Sequence, residues 1–230
     1  MAKTSYKYYI EALNKISKAI TSDLYLEDVL KLIVTVTASM MKAKICALWL
    51  LDTKKRELKI RATQALSSAY LKERSIKYGK GIVGLVAKEK KPLIISRVLE
   101  DSRYQEKDLA KKEKLVSMIS VPMMVKKKVI GVINCYTTSE YNFTQSEIDL
   151  LSTVANQAAV AIENTELMVK TKVIEEELEA RKKIEKAKGI LMRQKNLDEE
   201  QAYKIIRSSS MDKRVPMKNI AEAIILAAEI

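Results

Sequence analysis

Between Gly131 and Gly189 the chain contains no glycine, and between Pro122 and Pro216 no proline. These are the residues that most readily break a helix, so a long run without either constrains the fold more than any other feature. Its start is signposted. "YNFTQSEIDLL" (141–151) places Thr144 at a helix N-cap with Glu147 three residues on, a capping box, and sets Phe143 to staple onto Ile148. The spacing predicts one helix from about 145 to 194, on the order of 75 Å long at about 1.5 Å per residue. A first apolar stripe, Ile148, Leu151, Ala155, Ala158 and Ile162, needs a sheet to cover it. A second, Leu167, Ile174 and Leu178, continues at coiled-coil spacing. A protruding helix cannot bury that stripe alone, and a parallel dimer is the simplest remedy.

What precedes the helix reads as a mixed domain. Residues 5–20 and 24–41 have helical spacing; in the second, Leu26, Leu30, Ile33, Val34 and Met41 recur every three to four positions. "KICALWLLD" (44–52) and "ELKIRATQAL" (57–66) are strand-like across the polar turn "TKKR". "PLIIS" (92–96) is a third strand, and residues 99–114 form a charged loop. "VSMISVPMMV" (116–125) and "KVIGVINCYTT" (128–138) form a hairpin around "KKK". The expected class is α+β, with a largely antiparallel sheet flanked by helices. "GKGIVG" (79–84) has the G-x-G-x-x-G spacing of dinucleotide sites. Such a site needs a βαβ unit in a parallel sheet, so a tight turn into a short helix is the better reading here.

Composition excludes more than it proposes. The 230 residues contain no histidine, which removes His-based general base catalysis and His-ligated metal or haem. No paired carboxylates in a glycine-framed pocket nominate a catalytic group, so an enzyme is not expected. Cys46 and Cys135 lie in apolar strand-like runs and read as buried free thiols in a reducing, cytoplasmic setting. No apolar run approaches the length of a membrane span, and the amphipathic N-terminus does not resemble a signal peptide. The net charge of +13 suggests an anionic partner. Its distribution complicates that inference. Residues 170–230 hold 14 basic and 11 acidic side chains, so ten of the thirteen net charges lie before them.

Two further helices close the chain. In "LDEEQAYKIIRSSSM", Asp198 caps and Gln201 completes a capping box; "VPMKNIAEAIILAAEI" opens with Pro216 in its first turn. With the end of the long helix they make a three-helix unit too small to be stable without a neighbour or a dimer mate. Ile184, Ala187 and Leu191 form its core stripe on the first helix. Lys182, Lys186, Gly189 and Arg193 share another face. On the second helix Ala202, Ile205, Ile206 and Ser209 turn inward, and Tyr203, Arg207, Ser210 and Arg214 outward. From 181 to 218 there are 12 basic against 5 acidic residues. Arginine and lysine bind phosphates, tyrosine stacks on an unpaired base, and glycine lets a backbone approach closely. Gly189 costs a helix about 1 kcal/mol against alanine. It is kept either to clear space for a nucleic-acid partner or to let the first helix pack closely on the third.

"IEKAKGILM", "EEQAYKIIRSSSMDKR" and "NIAEAII" resemble the ANTAR domain, the RNA-binding output module of bacterial transcription antiterminators. The likeness spans 175–230. It implies a three-helix unit on a dimeric coiled coil that recognises paired small-loop hairpins in nascent transcripts and so prevents terminator formation. Lys186, Lys188, Gly189, Arg193, Tyr203, Arg207, Ser210, Lys213 and Arg214 are the candidates for RNA contact. A DNA-binding helix-turn-helix factor, or a signalling module docking an acidic protein, would use the same basic helices.

"GKGIVGLVAKEKKPLIISRV" and the run from "SMISVPMMV" to "AIENTEL" resemble a GAF sensory domain over roughly 20–168. The resemblance implies a regulatory input domain that binds a small molecule or dimerises. This copy lacks the histidine of haem sites and the Cys-His pair of bilin sites, so neither haem nor metal is expected and the ligand is open. Cys46, Trp49, Tyr70, Tyr104 and Asn134 are the candidate pocket residues, each weighed against a packing role. The expected organisation is a sensory domain over 1–168, a helical coiled-coil linker over 145–180 and the RNA-binding domain over 175–230, acting as a cytoplasmic homodimer.

Overall fold

The computed structural model describes residues 2–22, 25–65, 67 and 74–228, with side chains from Ile10 onward. The chain divides into two compact units, 1–165 and 166–230.

The first unit is built on one six-stranded sheet. β1 (Ile45–Asp52), β2 (Glu57–Thr63), β3 (Ser75–Lys77), β4 (Leu93–Ile95), β5 (Met118–Val125) and β6 (Lys128–Tyr136) lie in the order β3-β2-β1-β6-β5-β4. Every pairing is antiparallel. Both faces are covered, which is why β1 reads as a continuous apolar run rather than an alternating one. Cys46, Leu48, Ile119, Val121, Ile133 and Cys135 face a helical layer. It comprises α1 (Ala2–Ile20), α2 (Leu26–Met40) and the start of α5 (Gln145–Lys195). Leu151, Ala155, Ala158 and Ile162 of α5 are buried there, as their stripe predicts. On the opposite face Ala47, Trp49, Met118, Val132 and Tyr136 pack on α3 (Gly81–Glu89) and α4 (Lys107–Glu113). Side chains on a strand alternate between faces, so Trp49 and Cys46 belong to different cores.

The α5 start is closed by the expected capping box. Thr144 N–H donates to Glu147 Oε2 at 2.8 Å, and Glu147 N–H donates to Thr144 Oγ1 at 3.3 Å. Phe143 and Ile148 join the same apolar cluster. The glycine motif is spent on local geometry. Gly79 and Gly81 take φ of +78° and +59°, and a Cβ on Gly84 would run into the carbonyl of Lys77. All three glycines are therefore needed to turn β3 into α3 within an antiparallel sheet. Two elements depart from the sequence reading. β3 lies just before the glycine motif, where no strand is expected, and α4 lies inside the charged loop.

In the second unit, the C-terminal part of α5 packs with α6 (Glu199–Lys213) and α7 (Met217–Ala228). Ala187, Leu191, Ala202, Ile206, Ile220 and Ala221 are its buried centre. Asp198 Oδ1 accepts from Gln201 N–H at 2.7 Å, and Gln201 Oε1 accepts from Asp198 N–H at 3.1 Å, a complete capping box. Pro216 immediately precedes α7, and its carbonyl accepts from Asn219 N–H. No helix among the described residues is long and apolar enough to cross a membrane.

Candidate nucleic-acid interface

The outer surface of α6 has a stripe at four-residue spacing: Tyr203, Arg207 and Met211, with Arg214 beyond it. Tyr203 and Met211 are 41% and 68% exposed. Arg207 is exposed, and so are Arg193, Lys213 and Arg214. Among the described residues none of these four cations lies in an ion pair. Arg214 ends α6 in the left-handed conformation, its N–H donating to the carbonyls of Ser210 and Met211. Lys186 is also exposed, on α5. Arg193 Nε donates to the Gly189 carbonyl at 3.2 Å. Sequence reasoning missed Met211 as a site residue, although its place four positions after Arg207 puts it on the same stripe.

Gly189 has a clear outcome. A Cβ built there meets nothing within 4 Å. Close packing of the first helix on the third therefore does not explain the glycine, and the space beside it is open to solvent.

Two candidates are committed to the fold. Lys188 is only 7% exposed, and its ammonium donates to Glu199 Oε1 at 2.7 Å and Glu185 Oε1 at 3.0 Å. Glu199 first and Glu185 second raise the Lys188 pKa, and Lys188 holds the Glu199 carboxyl below its ordinary value. In this structure Lys188 is a clamp between α5 and the first turn of α6 rather than part of the open basic face. Tyr203 borders that clamp in an open groove of about 380 Å³ with Lys188, Glu199 and Glu200. Ser210 is half-buried, and its hydroxyl donates to the Val215 carbonyl at 2.6 Å, tying down the α6–α7 turn.

The five pocket candidates of the first unit also separate. Cys46 faces the α1–α2–α5 core directly opposite Cys135, and burial pushes its thiol pKa up. It cannot share a site with Trp49 and Tyr104, which lie across the sheet. Tyr70 lies outside the described residues. Asn134 falls in register with Val132 and Tyr136, on the Trp49 face, and accepts the Ser120 hydroxyl at 2.7 Å. Trp49 Nε1 and Asn134 Nδ2 are buried with no hydrogen-bond partner. The Arg74 guanidinium lies 5.4 Å from the Trp49 ring centroid and pairs with Glu106 at 2.6 Å. Burial pushes the Tyr104 phenol up to about 12. Buried donors without acceptors are costly, and these two lie on the same face of the sheet. Among the described residues no group of three or more His, Cys, Asp or Glu could hold a metal ion.

The chain thus joins a sheet unit covered on both faces to a helical unit with an open cationic stripe. Comparison with known proteins makes this specific. The GAF domain model matches residues 25–162 and the ANTAR domain model residues 172–225. The chain belongs to the GAF domain family, and its second unit carries an ANTAR domain. The transcriptional regulatory protein PdtaR of Mycobacterium tuberculosis (strain ATCC 25618 / H37Rv) is 34% identical over 77 residues, 34% of this chain and 38% of that protein. A phosphoenolpyruvate-dependent phosphotransferase system protein of Escherichia coli K12 is 22% identical over 155 residues, 67% of this chain. The chain thus spans only 21% of the length of that relative. Among solved structures, the GAF domain of a phosphoenolpyruvate-protein phosphotransferase from Coxiella burnetii matches with a TM-score of 0.65 at 21% identity. That match covers 71% of this chain and 98% of that one.

Proposed function

We propose that the chain is a signal-responsive antitermination regulator that binds tandem hairpin loops in nascent transcripts and keeps a terminator from forming. The observation that carries this reading is the Tyr203–Arg207–Met211 stripe, an exposed aromatic and an unpaired cation on a helix of the ANTAR domain. An unpaired base stacks on the tyrosine while Arg207 and Arg193 meet phosphates, and the open space at Gly189 admits the backbone. Leu167, Ile174 and Leu178 are 50%, 63% and 52% exposed on the single chain. Their coiled-coil spacing supports a homodimer, and a dimer presents two heads to two hairpins. A small molecule with hydrogen-bond acceptors, seated against Trp49 and Asn134, supplies the signal in the cytoplasm. The GAF and ANTAR domains are regulatory, and no catalytic step is assigned to either.

The test is retention of tandem small-loop hairpin RNA by the full chain against duplex DNA, at several salt concentrations. The hairpins should be preferred, with affinity falling steeply as salt rises. Arg207→Ala should weaken binding about tenfold, or about 1.4 kcal/mol, without moving the thermal midpoint, since an exposed cation contributes little to folding. Equal retention of duplex DNA would make the chain a DNA-binding factor. No retention of RNA at any salt would leave docking to an acidic protein and overturn the reading.

A further inference from the structure

Most of the net positive charge precedes residue 170, and neither the hairpin surface nor the ligand site uses it. The sheet order gathers part of it at one end. β1 ends beside the start of β6, with Leu50 opposite Gly131, and Asp52 is opposite Glu57 of β2. The β1–β2 turn, the β5–β6 turn and the segment after β3 are therefore neighbours. Tyr78 N–H donates to the Arg56 carbonyl at 2.9 Å, joining two of these segments. Lys90, which ends α3, sends its ammonium to the Lys127 carbonyl at 2.9 Å and adds a fourth.

Between them lies a groove of about 440 Å³, bordered by Arg56, Tyr78, Lys90, Lys127 and Lys128, and no carboxylate lines it. The Arg56 guanidinium sits 5.3 Å from the Tyr78 ring centroid, which fixes a cation on an aromatic face. Lys126 precedes Lys127 in the β5–β6 turn, and with it none of these five cations is in an ion pair among the described residues, and all are exposed. The β5–β6 turn places Lys126 and Lys127 at φ of +47° and +67°. Two-residue turns of this kind favour Asn-Gly, so the lysines are held there at some cost to folding.

We propose that this end of the sheet is a second RNA-binding surface, gripping the phosphate backbone of single-stranded transcript. The proposal rests on the reading of the chain as an RNA-binding regulator. A preorganised groove with cations on its rim and an arginine stacked on tyrosine suits a phosphate chain carrying bases. A lipid surface would demand apolar side chains for insertion. Leu51, Val129 and Ile130 line the groove but are half-buried, and the exposed large hydrophobic residues among the described residues of the first unit, such as Ile94, Leu99 and Tyr141, lie outside these four segments.

The experiment uses the full chain with two probes: an unstructured oligoribonucleotide of about 30 nucleotides, long enough to cover one or more such grooves, and the tandem hairpin RNA. The variant is Lys126→Asn with Lys127→Gly, which installs the turn sequence the backbone prefers. Its thermal midpoint should stay or rise. Its affinity for the oligonucleotide should fall about tenfold, and the slope of log K against log salt should flatten by about 1.4 for two lost single-strand phosphate contacts. Unchanged affinity and slope for the oligonucleotide would overturn the proposal while leaving hairpin recognition intact. Loss of hairpin binding in the wild type, with oligonucleotide binding still sensitive to the variant, would instead overturn the hairpin reading alone. Capture of the wild type by anionic phospholipid vesicles and by neither RNA would assign the groove to lipid and end both.

Discussion

The two units solve the burial problem differently. The first encloses one sheet between two helical layers, and Trp49, Leu48, Ile33 and Met118 are fully buried without help from another chain. The second closes three helices around a small centre, four of whose six buried members are alanine or isoleucine on α6 and α7, and leaves Leu167, Ile174 and Leu178 in solvent. One unit buries its apolar side chains within itself, and the other leaves an apolar stripe exposed. The consequence is a division of labour. The unit with a closed core can hold unpaired buried donors at Trp49 and Asn134 without collapsing. In the small unit the one buried charge among the described residues, Lys188, is paired with Glu185 and Glu199.

The largest expected effects come from deleting a centre in each. Trp49→Ala should destabilise the first unit by about 3–5 kcal/mol, and Ile206→Ala the second by about 2–5 kcal/mol. Monitored by hydrogen exchange, Trp49→Ala should raise exchange in β1 and β6, and Ile206→Ala in α6 and α7. If the second unit relies on a mate, its transition also shifts upward with chain concentration. A melt of α6 and α7 that ignores concentration would break the comparison.

Gly189→Ala asks the same question on a smaller scale. The added Cβ meets no atom within 4 Å, so the helix should gain about 1 kcal/mol and the thermal midpoint of the second unit should rise. If the glycine is retained for clearance, hairpin affinity should fall in the same variant. A stabilised protein binding RNA as before would show that the open space is not used.

Local rules explain which elements were legible. Both capping boxes are carried by residues three apart, so Thr144–Glu147 and Asp198–Gln201 could be read directly. The stripe of α5 and the hairpin around 126–128 follow from periods of 3.6 and 2. β3 could not, because three residues on a sheet edge have no period. Nor could α4, "KDLAKKE", whose only apolar residues are Leu109 and Ala110. The site candidates divided along the same line. Cys46 and Trp49 are three apart on one strand, an odd spacing that already puts them on opposite faces. Lys188 stands four residues after Ile184 and three before Leu191, on the buried stripe, so its position was readable. Its partner Glu199 was not, because that carboxylate arrives from another helix. The cationic groove depends wholly on the strand order and has no signature along the chain.

The Lys188 clamp yields the smallest and most diagnostic prediction. Its folded pKa is raised by Glu199 and Glu185, so its contribution is fully present below the unfolded lysine value of about 10.4 and is lost as pH rises through the folded one. The Glu199 pKa is lowered by the same contact. Its contribution is present above the unfolded value of about 4.3 and disappears as pH falls through the folded one. The clamp therefore works on a plateau between roughly pH 5 and 10. Both carboxylates are largely exposed, which keeps the effect modest. Lys188→Met should lower the thermal midpoint of the second unit at neutral pH, and the deficit should close below about pH 4. RNA binding decides its other role. A lysine held inside the fold leaves the salt slope untouched when removed, whereas one that touches a phosphate takes about 0.7–0.9 of slope with it. A shallower slope in Lys188→Met would mean that the clamp opens on RNA and that the basic face gains a cation hidden in the free protein.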